Sequence, residues 1–208
     1  MSTLPTNLCE LFALSVRQYP ENLAIDHEDG ALTYRELDDV SSSLAHDLSV
    51  LGVGGGLPVL LVTAHGSFNI VAILAILKAG GCFVPIDRKT WSPEMIDYVC
   101  ETVESQVIIN TTAEPFRATN GSHHVLHMTT LPPPSSPNTP SYSLQPSDDA
   151  CIIFTSGSTG RPKGVILSHK AFCLYSQTSP MNLDILPGDR LLHILSVAFD
   201  GESNTWRL

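Results

Sequence analysis

Basic side chains are scarce in this 208-residue sequence: 11 Lys and Arg stand against 21 Asp and Glu, a formal charge of −10 at pH 7. An acidic surface repels a phosphate backbone and an anionic bilayer alike, which disfavours broad nucleic-acid or membrane-surface binding. A small anionic ligand stays open, because backbone dipoles and a few local cations outweigh a distant charge that salt screens over about 10 Å. Long apolar runs are absent too. The best, residues 70–77, falls far short of the roughly 20 residues that span a bilayer. The first seven residues have neither the basic start nor the apolar stretch of a secretory signal. No CxxC pair occurs: Cys9, Cys82, Cys100, Cys151 and Cys173 are odd in number and widely spaced, which reads as reduced, mostly buried thiols in a cytoplasmic protein. The N-x-S/T sequons at Asn110 and Asn120 are then chance matches. With 43% hydrophobic and 15% charged residues the chain is globular, and its length suits one domain or slightly more.

Helical and strand periodicities alternate, the pattern of an α/β fold with a mainly parallel sheet. Leu8, Leu11, Phe12 and Ser15 space an opening helix that stops at Pro20, and residues 23–26 read as a short strand. Thr33 and Glu36 form a capping box, and Leu37, Val40, Leu44, Leu48 and Leu51 carry the helix that follows, up to the glycines at 52–56. The run 57–63 reads as a strand buried on both faces. Ser67 is expected to cap a helix reaching Lys78, and 82–84 to form the next strand, completing a βαβ unit. Ser92 and Pro93 open a helix to about Glu104, and 106–109 is the strand after it, a second βαβ. Residues 131–149 hold six prolines and little aliphatic material. An interdomain linker, a surface loop and a docking site for a proline-binding module compete for this stretch; the surface loop is preferred, because a buried-type strand resumes directly after it.

That strand, 151–154, leads into Thr155-Ser156-Gly157-Ser158-Thr159-Gly160-Arg161-Pro162-Lys163-Gly164, and another short strand follows over 165–167. These ten residues hold four hydroxyls, three glycines and two cations. Glycines let backbone N–H groups line a concave anion nest, hydroxyls donate further hydrogen bonds, and Lys163 adds a mobile point charge. The stretch reads as a phosphate cradle, against the plainer alternative of a polar hairpin turn. It is no Walker A loop, since Lys163 follows Pro162 and leads into a strand rather than a helix; nor is it a serine-hydrolase elbow, since Ser158 has no glycine two residues before it. Lys163 pairing with a nearby acid is the structural alternative.

The loop resembles the phosphate-binding signature of the adenylate-forming ligases, specifically the adenylation domains of nonribosomal peptide synthetases. Leu32-Thr33-Tyr34-Arg35-Glu36-Leu37 is similar to that family's first motif, and Leu77-Lys78-Ala79-Gly80-Gly81-Cys82-Phe83-Val84-Pro85-Ile86-Asp87 to its second. The resemblance implies that a carboxylate attacks the α-phosphate of Mg-ATP, giving an acyl-adenylate and pyrophosphate, and that the acyl group then passes to the phosphopantetheine thiol of a carrier protein domain. It assigns the β- and γ-phosphates to the loop, with Thr155, Ser156, Ser158, Thr159 and Lys163 stabilising charge among the glycines Gly157, Gly160 and Gly164. The implied substrate is a small carboxylic or amino acid, in secondary metabolism. Asp200, after Phe199, matches the position that pairs with the substrate's α-amino group; a helix cap or turn role is the alternative. Two departures stand out: Glu202 where serine is usual, and Arg88 where proline usually follows Asp87.

The family's later motifs, which stack adenine, hold ribose and supply a catalytic lysine, do not occur in these 208 residues. The expectation is the amino-terminal portion of one adenylation domain, with no complete catalytic set and no activity alone; a noncatalytic nucleotide- or polyphosphate-binding or interaction fragment is the alternative. His123, His124 and His127 have ligand-like spacing in what reads as polar loop, but no cysteine or carboxylate completes a site, so no metal is assigned. His169, after Ser168, reads as a capping-region residue rather than a base.

Overall fold

A computed structural model describes residues 5–28, 30–63, 66–116, 123–134, 142–155, 161–183, 186 and 188–191. Helix α1 (Leu8–Gln18) is capped by Asn7, whose side chain accepts the Glu10 N–H. Strands β1 (Leu23–His27) and β2 (Gly30–Thr33) form an antiparallel ribbon. Helix α2 (Tyr34–Val50) starts on the expected capping box: Thr33 Oγ1 accepts the Glu36 N–H at 3.2 Å while Glu36 Oε2 accepts the Thr33 N–H at 2.8 Å.

Six further strands, β3 (Pro58–Thr63), β4 (Cys82–Asp87), β5 (Val107–Asn110), β6 (His124–His127), β7 (Asp149–Thr155) and β8 (Lys163–Ser168), form one sheet in the order β6-β5-β3-β4-β7-β8. Strand β3 (Pro58–Thr63), helix α3 (Ser67–Lys78) and strand β4 (Cys82–Asp87) make the first crossover, and helix α4 (Pro93–Val103) leads from β4 to β5 (Val107–Asn110) on the other side of β3. Strand β7 (Asp149–Thr155) adds beside β4 in parallel, and β8 (Lys163–Ser168) closes the sheet antiparallel to β7 before helix α5 (His169–Leu183). The α/β class with a mainly parallel sheet is therefore the observed one.

Both faces of the sheet are covered. Along β3, Val59 and Leu61 join a core with Phe12 of α1, Leu37 of α2 and Ile73 of α3, whereas Leu60 and Val62 point into a second core with Ile96 and Val99 of α4. Alternate side chains thus enter opposite layers, which is why the strand reads as a continuous apolar run. Lys78, at the end of α3, reaches back to α2: its ammonium donates to Asp38 Oδ1 and Ser41 Oγ at 2.7 Å and to Ser42 Oγ and the Asp38 carbonyl at 2.9 Å.

Two details differ from the sequence reading. The α3 cap falls on Gly66, at φ +147, with Ser67 as the first helical residue and no side-chain cap bond; only glycine takes that backbone angle at little cost. Helix α4 ends at Glu104 as expected, with that residue in the left-handed region at φ 51. Residues 124–127 are not loop: strand β6 (His124–His127) pairs in parallel with β5, and the Asn110 side chain lies 3.0 Å from His127 Nδ1. The ladder to β5 imposes a strand on four residues whose ends are exposed histidines.

All five thiols are free, with Cys9 half-buried and the others buried. Burial pushes Cys9 and Cys82 up to about 12 and Cys100 and Cys173 up to about 11, and raises Cys151 well above the ordinary thiol value. None is poised to react as thiolate at neutral pH. No described helix is long and apolar enough to cross a membrane.

Candidate functional site

The parallel strands β3, β4, β5, β6 and β7 all end on one edge of the sheet, at Thr63, Asp87, Asn110, His127 and Thr155. In open α/β sheets this carboxyl edge is where ligands bind. Thr155 ends β7 there, and Lys163 begins β8 directly opposite it, the two paired in the antiparallel ladder. The two feet of the hydroxyl- and glycine-rich loop are thereby clamped side by side. Ser156, Gly157, Ser158, Thr159 and Gly160 lie outside the described residues, as does Asp200.

Thr155 and Lys163 are both exposed, and no acid pairs with Lys163 among the described residues. A hydroxyl and an unneutralised ammonium at this edge suit an anion. Gly164, next in β8, sits opposite Phe154, and a Cβ there would lie 3.0 Å from Ile152 Cγ2 and 3.2 Å from Phe154 Cζ. Packing there is tight: a side chain at this position would need Ile152 or the Phe154 ring to give by a few tenths of an ångström.

Asp87, from the second motif, builds the turn beside the loop. Its carboxylate accepts the Lys89 N–H at 2.8 Å, and its carbonyl accepts the Thr90 N–H at 3.2 Å and the Trp91 N–H at 3.1 Å. This turn holds Trp91 edge-on to Phe154, ring centroids 6.4 Å apart at 88°. One helical segment further on, Tyr98 of α4 lies under Arg161, whose guanidinium carbon is 5.7 Å from the ring centroid. Trp91 and Tyr98 carried no signal in the sequence; only the fold brings them to the loop. Arg88 turns away instead, donating to the carbonyls of Glu114 at 3.4 Å and Pro115 at 3.3 Å, with its carbon 5.8 Å from the Phe116 ring centroid. It fastens the end of β4 to the segment after β5, a role the usual proline could not fill.

His123 and His127 each meet a neighbouring protein group, His127 the Asn110 side chain. His123 Nδ1 is 2.8 Å from the Ser105 carbonyl. Among the described residues no group of three His, Cys, Asp or Glu could hold a metal ion. His169 is the first residue of α5, and Ser168 Oγ accepts the Ala171 N–H at 3.3 Å, as a cap does. The His169 ring is fully buried and accepts the Leu8 N–H through Nδ1 at 3.3 Å, tying α1 to α5.

A family model described as AMP-binding enzyme matches residues 12–206. The chain is 60% identical over 202 residues to the nonribosomal peptide synthetase verP of Clonostachys rogersoniana, a match that takes in 95% of this chain and 10% of verP. Among solved structures it superposes on the Klebsiella oxytoca NpsA N-terminal subdomain in complex with 3-hydroxybenzoyl-AMSN with a TM-score of 0.78 at 26% identity, covering 95% of this chain and 50% of that one. With the AMPPNP-bound form of the nonribosomal peptide synthetase FmoA3 the TM-score is 0.84 at 26% identity, covering 98% of this chain and 22% of that one. The chain thus spans about a tenth of the length of the curated synthetase it matches.

Proposed function

Because the chain belongs to the AMP-binding enzyme family, we propose that its loop over 155–164 holds the β- and γ-phosphates of ATP during formation of an acyl-adenylate. A substrate carboxylate oxygen attacks the α-phosphorus, the bond from that phosphorus to the β-bridging oxygen breaks, and pyrophosphate leaves from the loop. Charge builds on the departing bridging oxygen, so donors fixed around it lower the barrier. The observation that carries this reading is the pairing of Thr155 with Lys163 at the carboxyl edge of the sheet. It sets a hydroxyl and an ammonium, with no acid partner among the described residues, at the two feet of a loop whose sequence is rich in donors.

The same reading places residues 1–208 in the amino-terminal portion of one adenylation domain, in the cytoplasm, with 131–149 as a surface loop. Its substrate is a small carboxylic or amino acid, with Asp200 pairing the α-amino group of an amino-acid substrate. Transfer of the acyl group to phosphopantetheine on a carrier domain belongs to the longer synthetase. Magnesium would arrive with the nucleotide and shield its phosphates; the described residues supply no ligand cluster for it.

The 208 residues supply the polyphosphate half of this chemistry and are inactive alone. Exchange of labelled pyrophosphate into ATP, screened over amino, aryl and keto acids, stays at background with the isolated chain, while pyrophosphate binds and Lys163→Ala weakens that binding about tenfold, as loss of a charge-assisted contact does. Equal pyrophosphate binding by the Lys163→Ala variant would overturn the assignment of the loop.

A further inference from the structure

We propose that Tyr98 is a positioning residue that holds Arg161 as a second cation of the polyphosphate site; this rests on the loop assignment above. Arg161 is exposed, and no carboxylate pairs with it among the described residues. Its guanidinium instead lies over the Tyr98 ring, 5.7 Å from the centroid.

The choice of partner matters chemically. A carboxylate would hold an arginine equally well but would cancel its charge and occupy its N–H donors. An aromatic ring attracts the cation through its quadrupole and leaves both the charge and the in-plane donor fork available to an oxyanion. Tyr98 therefore orders the side chain without spending what a phosphate would bind.

The backbone supplies the other half of the constraint. Pro162 is buried and restricts the residue before it to extended angles, and Lys163 is fixed in the ladder opposite Thr155. The main chain at Arg161 is thus restricted on its carboxyl side, which leaves the long side chain to be ordered. Contact with Tyr98, on the rigid helix α4, restricts those torsions before any ligand arrives, which reduces the ordering cost of binding. Arg161 offers a planar fork and Lys163 a point charge, two complementary ways of meeting a pyrophosphate.

The test is a double-mutant cycle on pyrophosphate affinity, measured by titration calorimetry on the 208-residue chain, with thermal melts verifying that each variant is folded. Arg161→Gln weakens binding about fivefold and Tyr98→Leu about threefold, magnitudes in keeping with an exposed cation–π contact. Tyr98→Phe, which keeps the ring, stays within about twofold of the unaltered chain. In the Arg161→Gln background Tyr98→Leu costs nothing further, a coupling that a merely structural tyrosine would not give. If Tyr98→Leu costs the same in both backgrounds, or if neither variant weakens binding while Lys163→Ala does, the inference fails and the loop assignment stands. If the unaltered chain binds no pyrophosphate, or Lys163→Ala binds equally well, the loop assignment falls and this inference with it.

Discussion

The ring of Tyr142 lies flat against Gly80: a Cβ built on that glycine would stand 2.5 Å from Tyr142 Cγ and 2.7 Å from Cδ1. Gly80 follows α3 at φ +79, and its neighbours Gly54 and Gly55 border the same ring. The glycines of two separate turns thus make a flat seat for one aromatic side chain of the proline-rich segment.

Gly80→Ala meets both a left-handed backbone angle and the Tyr142 ring, and is expected to cost roughly 2–4 kcal/mol. In a Tyr142→Ala background the steric part disappears and the cost falls to about 1–2 kcal/mol, the backbone part alone. Urea unfolding of the four chains measures the difference; equal costs in both backgrounds would show that the ring does not seat there.

Lys78 and Asp38 are unequally placed, with side-chain exposures of 8% and 40%. Removing the acid leaves a buried ammonium short of its counter-ion, whereas removing the lysine leaves a carboxylate that water reaches. Burial already holds the Lys78 pKa below its ordinary value, with Asp38 opposing that shift. Asp38→Ala should therefore cost about 3 kcal/mol and Lys78→Met about 1 kcal/mol. Denaturation midpoints in the reverse order would refute the asymmetry.

His169 makes stability depend on pH. Its Nδ1 accepts the Leu8 N–H, so the ring is neutral, and burial holds its pKa below 6.5 although Asp148 pulls the other way. As pH falls below 6.5 the unfolded chain takes up a proton that the folded chain refuses. The stabilisation is whole above that pH, declines down to the depressed folded value, and is level below it. Urea midpoints between pH 8 and pH 5 should show this decline in the unaltered chain and a flatter profile in His169→Asn. A slope unaffected by the substitution would assign the decline to another group.

Polyphosphate rather than the nucleoside should dominate any nucleotide affinity of the chain, since the described groups at the site are a hydroxyl and two cations, which suit oxyanions. Competition against a bound fluorescent ATP analogue should show pyrophosphate displacing it and adenosine failing at the same concentration. Displacement by adenosine would mean that binding is centred elsewhere.

Much of this was legible in the residues themselves. Thr33 with Glu36, and Ser92 with Pro93, announce helix starts through bonds that reach three positions along the chain, so a linear reading finds them. Strand β6 was illegible because nothing inside its four residues specifies it; the partner strand β5 does. Ser67 and Gly66 are adjacent and both suit a helix start, and only the backbone angle at Gly66 decides between them. At the site, the loop's composition suggests an anion nest, and the structure adds that its two ends, Thr155 and Lys163, are paired at the carboxyl edge of the sheet. Tyr98 was silent, since an aromatic on a helix most often serves a core, and Trp91 was silent in its turn; their contacts with Arg161 and Phe154 join distant parts of the chain.

The ladder between β7 and β8 also bears on the order of assembly. Thr155 and Lys163 are eight residues apart in the chain, whereas Phe83 must find Cys151 across a far longer stretch for β4 and β7 to meet. A short loop closes in roughly 10–100 ns and a hairpin forms in about 1–10 μs, ahead of pairings that must first order an intervening helix. The two ends of the 155–163 loop can therefore come together as a local event, and the rest of the sheet is recruited to a hairpin whose register is already set.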